Sequence, residues 1–197
     1  MKTILFPLML VMLAGSSVHG QEYKKFRVGV GAGYAKAGGA GASGGMLWAL
    51  EPGYRLTDRV LANLKAELAT VVRGAVDNIE ADLSVSAIGS TSLNGQYYLT
   101  SRSLRAFAGI GFGLYRMAIM RDEPLIGGPP SDGSFESRFG FYPRVGFDAG
   151  HFTFCLDYNL IPETEATVPS SSRFVTTQFK NSYFGFRLGG YLGGGKK

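Results

Sequence analysis

Segment after segment of this chain places an apolar side chain at every second position, which gives each segment one apolar and one polar face. In 151–160, Phe152, Phe154, Leu156, Tyr158 and Leu160 share one face, and His151, Thr153, Cys155, Asp157 and Asn159 the other. In 138–149, Phe139, Phe141, Val145 and Phe147 alternate with Arg138, Tyr142, Arg144 and Asp148. In 60–73, Val60, Ala62, Leu64, Ala66 and Leu68 alternate with Asn63, Lys65, Glu67 and Arg73. Five more strands are expected at 24–35, 45–56, 83–99, 104–117 and 182–192, the milder 83–99 setting Val85, Ala87 and Leu93 against Ser84, Ser86, Ser90, Ser92, Asn94 and Gln96. The 29 glycines argue against helices as well, since each costs about 1 kcal/mol relative to alanine inside one.

The second face decides which way the strands point. It carries Arg27, Glu51, Arg55, Lys65, Glu67, Arg105, Arg138, Arg144, Asp148, Asp157 and Arg187, spread over most of the strands and interleaved with glycine. The apolar face is too continuous and too aromatic to fit the narrow taper inside a small barrel. Turning the barrel inside out resolves both difficulties: apolar side chains meet lipid, while glycines and opposite charges fill the interior. Closure leaves no backbone group unpaired in hydrocarbon. The expected fold is all-β, an eight-stranded antiparallel up-and-down transmembrane β-barrel.

Connection lengths agree. Short turns are expected at Thr57-Asp58-Arg59, at 100–103 and at Ala149-Gly150, with longer loops at 36–44, 74–82, 118–137 and 161–181. Long and short connections therefore alternate, as extracellular loops and periplasmic turns do. With those directions Tyr34, Trp48, Phe139, Tyr158 and Phe184 fall near the outer lipid boundary, and Tyr54, Tyr97, Phe147 and Phe152 near the periplasmic one. Such girdles are expected because aromatic rings favour the headgroup level. Tyr191 alternates onto the interior face, for which a bulge at Gly189-Gly190 is the expected cause.

Residues 1–20 read as a cleaved secretory leader, separate from a barrel domain at 21–197: Lys2 precedes the apolar stretch 4–14, and Val18-His19-Gly20 precedes Gln21. The stretch is too short to span a bilayer as a helix. The single cysteine, Cys155, excludes an internal disulfide framework and a lipid-modified cysteine at the cleavage site. The net charge of +5 is mild and scattered, without the basic stripe that nucleic-acid binding uses.

Arg27-Val-Gly-Val-Gly-Ala-Gly-Tyr34, Leu50-Glu-Pro-Gly-Tyr-Arg-Leu56 and Ser182-Tyr-Phe-Gly-Phe-Arg-Leu-Gly-Gly-Tyr191 resemble strands of the small OmpA/OmpX-like outer-membrane β-barrel proteins. The resemblance implies the outer membrane as location and the barrel-assembly machinery, outer-membrane lipids and lipopolysaccharide as partners. Many such proteins end on an aromatic residue read by that machinery; this chain ends Leu192-Gly-Gly-Gly-Lys-Lys197, so an internal assembly signal is expected.

Candidate chemistry is sparse. The glycines at 29, 31 and 33, and at 109, 111 and 113, keep strand alternation with no helix after them, so they do not form a phosphate-cradling loop; they are expected to make room for interior Arg and Tyr. His151 is the only imidazole after the leader, beside a turn and with Thr153 rather than Ser two positions on, which suits a solvated turn residue better than the base of a lipid hydrolase. Cys155 reads as a small inward filler, and one His with one Cys gives no metal site. No cofactor is expected.

The interior charges admit two readings: a salt-bridged plug, favoured because eight strands leave only enough room for side chains, or a narrow pore for small solutes. The expected function is a non-enzymatic outer-membrane barrel with a structural or surface-interaction role. The loops at 118–137 and 161–181 are candidates for an extracellular ligand. The pore and the lipid-modifying hydrolase remain the alternatives.

Overall fold

The computed structural model describes residues 23–39, 42–72, 85–100, 103–119, 135–170 and 173–196. The proposed leader at 1–20, the loop at 74–82 and most of the loop at 118–137, including Arg121 to Gly133, lie outside the described residues.

Ten strands follow in order: β1 (Phe26–Ala37), β2 (Gly44–Arg55), β3 (Val60–Val72), β4 (Val85–Tyr98), β5 (Leu104–Ile119), β6 (Phe135–Ala149), β7 (Phe152–Asn159), β8 (Thr164–Ser170), β9 (Arg173–Phe179) and β10 (Tyr183–Gly193). Eight of them close into a barrel in the order β1-β10-β7-β6-β5-β4-β3-β2. Every neighbouring pair in it is antiparallel. The barrel therefore has no free edge along its wall, the condition for placing strands in hydrocarbon. Both described ends, the short connections from β2 to β3, β4 to β5 and β6 to β7, and the Tyr23↔Lys196 bridge gather at one rim, the terminus end. The longer connections leave from the opposite rim, the loop end.

Period two translates directly into burial. Along β3, Leu61, Asn63, Lys65, Glu67 and Ala69 are buried, while Leu64, Ala66, Leu68 and Thr70 are exposed. Along β10, Tyr183, Gly185, Arg187 and Tyr191 are buried, and Phe184, Phe186, Leu188 and Leu192 exposed. The wall is apolar outside and largely polar within. The β6–β7 turn is tight, and Gly150 adopts φ +62°, a conformation glycine reaches without strain.

Two expectations are corrected. The region 161–181 is not one irregular loop, because most of it forms a β-hairpin in which β8 and β9 pair from Thr164↔Phe179 to Ser170↔Arg173. Its Ser and Thr content suggested a linker, yet Thr, Val and Phe are strand formers, and Pro169 is tolerable in a two-stranded edge. The hairpin is rooted on the barrel: Ile161 is buried, its N–H donates to Ser182 Oγ at 3.1 Å, and Asn181 Nδ2 donates to the Pro162 carbonyl at 2.6 Å. The second correction concerns Tyr191. No bulge is present at Gly189-Gly190, since β1 and β10 pair without interruption from Arg27↔Gly193 to Ala37↔Tyr183. Tyr191 points inward because it has partners there.

Candidate functional site

The lumen is filled in three layers. In the middle layer four cations meet four carboxylates: Arg27, Lys65, Arg144 and Arg187 against Glu51, Glu67, Asp148 and Asp157. Strand alternation aims each of them inward from β1, β2, β3, β6, β7 or β10. Arg187 sits at the hub, with Nη1 2.8 Å from Glu51 Oε1 and 3.2 Å from Glu67 Oε2, and Nη2 2.8 Å from Asp157 Oδ2. The Arg187–Glu51 contact is close but is not aligned as a hydrogen bond, so its contribution is Coulombic. Lys65 Nζ donates to Glu67 Oε2 at 2.9 Å. Arg144 donates from Nη2 to Glu51 Oε2 at 3.2 Å and from Nη1 to Asn94 Oδ1 at 3.0 Å. Arg27 and Tyr98 converge on Asp148 Oδ2, at 2.8 and 2.6 Å.

Cys155 is more than a filler. Its sulfur accepts from Arg144 Nη2 at 3.2 Å and from Arg187 Nη2 at 3.6 Å. A cavity of about 20 Å³, lined by Arg27, Glu51, Arg144, Thr153, Cys155 and Arg187 among others, has room for about one water.

Toward the terminus end, Arg55 and Arg105 bring further positive charge. Arg105 is sandwiched between Tyr23 and Tyr98, 4.0 and 3.9 Å from their ring centres, and Arg55 lies 5.0 Å from Tyr23 and 5.1 Å from Tyr98. Both guanidinium groups donate to the Asp58 carbonyl. The aromatic faces stabilise these buried cations. Tyr191 plays the same part for Arg27, whose Cζ lies 4.5 Å from the ring centre, and donates its hydroxyl to the Gly150 carbonyl. His151 is exposed in the adjoining turn, its ring 5.5 Å from that of Tyr191.

The layer at the loop end is apolar. Leu47, Ala69, Val71, Ile88 and Met117 close the lumen there together with Ile161. Three tyrosines join this layer to the polar one: Tyr183 donates to Glu67 Oε1, Tyr115 to Asn159 Oδ1 at 2.7 Å, and the Tyr142 hydroxyl lies 3.1 Å from Ser92 Oγ. Glycine makes their room. A Cβ at Gly111 would collide with the Tyr142 ring, one at Gly140 would come within 2.9 Å of the Tyr115 ring, and one at Gly109 would come within 3.2 Å of Arg144 Cγ.

Of the eleven charges assigned to the lumen from the sequence, ten are buried there, and Arg138 stands apart. It faces inward by alternation, opposite Tyr115 on β5, but on the stretch of β6 before Phe141, which has no pairing with β7 among the described residues. Its partly exposed side chain forms an ion pair with Glu136. Uncharged partners complete the network: Asn63, already on the polar face by alternation, donates to both Asn94 and Gln96. Tyr98, Tyr115 and Tyr183, not assigned to the lumen from the sequence, share the face of the charges, with alternation the available signal. Tyr34, Trp48, Tyr54, Tyr97, Phe139, Phe147, Phe152, Tyr158 and Phe184 are all exposed on the outer wall, in two groups toward the two rims. Among the described residues no group of three His, Cys, Asp or Glu side chains is arranged to hold a metal ion.

No protein-family model and no curated protein matches the chain. Among solved structures the barrel is similar to Neisserial surface protein A (NspA), at 15% identity over 84% of this chain and 94% of that one, with a TM-score of 0.53. It is also similar to the N-terminal β-barrel domain of Pseudomonas aeruginosa OprF, at 13% identity over 86% of this chain and 99% of that one, TM-score 0.45. The outer membrane protein AlkL, solved in DMPC lipid bilayers, matches at 13% identity over 90% and 94%, TM-score 0.47. The likeness to NspA shows the fold: an all-β, eight-stranded, antiparallel closed barrel of the outer-membrane type.

Proposed function

We propose that this chain is an integral outer-membrane β-barrel protein, exported through a cleaved leader, with a structural or surface-interaction role and no catalytic one. The observation that carries this reading is the inverted polarity of the molecule. Four salt-bridged carboxylates lie inside, while Val30, Leu68, Ile110, Phe112, Phe139 and Leu188 are each half or more exposed on the wall. In water that apolar band would be a large aggregation surface; in a bilayer it is the solvent-facing side.

The layers favour a plug over a pore. Ions crossing the barrel would have to break the central ion pairs and then pass the apolar layer of Leu47, Ile88 and Met117. His151 lies at the terminus end against Tyr191, a setting that favours a turn residue over a hydrolytic base. The hairpin β8–β9 and the connection between β5 and β6 are the proposed contact points for an extracellular ligand. The barrel-assembly machinery and the surrounding lipids are the proposed partners in the envelope.

The reading is tested by expressing the full chain in a Gram-negative host and fractionating the envelope. The expected result is recovery in the outer-membrane fraction with heat-modifiable gel mobility, and no conductance above background in planar bilayers. A folded monomer in plain buffer without amphiphile would overturn the membrane reading, and stepwise conductance would overturn the plug.

A further inference from the structure

The outer wall carries a groove of about 970 Å³, apart from the lumen. Its geometry follows from register. Leu188, Ala32, Trp48, Leu68, Gly89 and Arg116 are paired one to the next across β10, β1, β2, β3, β4 and β5, so they form one row around the wall. The adjoining row runs Val30, Leu50, Ala66, Thr91 and Leu114. Where the two rows cross β3 and β4, the small side chains of Ala66, Gly89 and Thr91 lower the wall, with Trp48, Leu50 and Leu68 standing beside them. A Cβ built on Gly89 would meet nothing within 4 Å. The floor is open.

Arg116 gives the groove a chemical end. It is exposed, it points out of the barrel, and it is directly paired with Gly89 on one side and Ser137 on the other. No carboxylate among the described residues forms an ion pair with it. It stands one pairing step beyond Leu114, which pairs with Phe139 of the loop-end aromatic group, and so at headgroup height if the barrel spans the outer membrane. An arginine there is tolerable because it reaches the interface, and its planar donors suit a phosphate.

We propose that the groove seats one molecule of an anionic outer-leaflet glycolipid of the lipid A class, an acyl chain against Ala66, Gly89 and Leu68 and a phosphate on Arg116. The acyl chain fits the apolar floor, and the phosphate supplies the charge that Arg116 lacks within the described protein. The inference rests on the outer-membrane reading and deepens it by fixing where a specific lipid binds.

The test uses the full chain refolded in zwitterionic micelles, with compact, heat-modifiable mobility checked before any lipid is added; failure at that step counts against the membrane reading alone. Lipid A is then titrated and its retention read by native mass spectrometry. Wild type is expected to retain one lipid A. Arg116→Ala is expected to bind about ten-fold more weakly or worse, the worth of a charge-assisted hydrogen bond. Gly89→Phe fills the floor in open space and is expected to lose a similar factor. Gly95→Phe, at another open position on the outer wall, is expected to match wild type. Binding by either Arg116→Ala or Gly89→Phe equal to wild type overturns the proposal. So does retention of phosphatidylcholine or phosphatidylglycerol as tightly as lipid A.

Discussion

Arg144 and Glu51 stand on opposite strands of the barrel, β6 and β2, yet Arg144 Nη2 and Glu51 Oε2 are 3.2 Å apart. The pair is a strut across the lumen. Glu51 also lies 2.8 Å from Arg187, so one carboxylate balances two guanidinium groups. Glu51→Gln keeps the shape but leaves four cations facing three carboxylates. Breaking a buried pair from one side costs about 3–5 kcal/mol, because the surviving charge stays desolvated. The measurement is reversible urea unfolding from lipid vesicles, followed by tryptophan emission. A loss under about 1 kcal/mol, the value of an exposed pair, would mean that water reaches the network.

The seam that closes the barrel makes a separate demand. At Gly33 a Cβ would collide with the Phe186 carbonyl oxygen and lie 2.9 Å from Arg187 Cα. These are backbone atoms of the paired strand β10, so they cannot rotate away. Gly33→Ala is expected to destabilise the barrel by at least the 1–3 kcal/mol typical of overpacking. Gly95→Ala has nothing within 4 Å of the new methyl and is expected to be neutral. Heat-modifiable mobility measured against temperature compares the two; equal midpoints would show that the seam is not tight.

The barrel was legible in the sequence for the same reason that these substitutions differ: a two-residue period fixes which side chains face in. Lys65, Glu67, Asp157 and Arg187 could be placed inside from alternation alone. Their partners could not, since the register that sets Arg187 beside Glu51, Glu67 and Asp157 depends on how the strands stagger around the closed wall. Arg138 shows the limit of the pattern. Alternation gives a direction but not the neighbours, and before Phe141 strand β6 pairs with β5 but, among the described residues, not with β7, which leaves Arg138 partly exposed. The hairpin β8–β9 was hidden because Thr and Ser serve strands and turns alike, and only pairing chooses between them. The exterior groove was hidden too, because Ala66, Gly89 and Thr91 become neighbours only through register.

Cys155 offers a direct way to separate plug from pore. It is the only cysteine in the chain, it is buried, and it sits between the apolar layer and the tyrosine–arginine stack. In a sealed lumen a water-soluble methanethiosulfonate reagent should fail to modify it in the refolded barrel and should react fully once the barrel is unfolded in detergent and heat. Mass spectrometry reads the adduct. Fast modification of the folded protein would place a continuous water path beside Arg144 and Arg187, and the plug would have to be abandoned.

Trp48 tests the orientation on which the membrane reading depends. It is the chain's single tryptophan, it is 54% exposed, and it lies on the outer wall beside Leu68, to which it is paired. In a water-soluble barrel an indole so exposed would emit at long wavelength and be quenched by aqueous iodide. In a bilayer the same side chain points into acyl chains, toward the loop-end boundary where amphipathic rings settle. The expected result in vesicles is blue-shifted emission, strong quenching by phospholipids brominated along the chain, and little quenching by iodide. Moving the bromines along the chain should give the strongest quenching at a shallow position, between mid-chain and headgroup, because Trp48 stands only a few residues from the loop-end start of β2 at Gly44. Quenching by iodide with no response to bromine would turn the barrel right side out and remove the basis for both the lipid site and the plugged lumen.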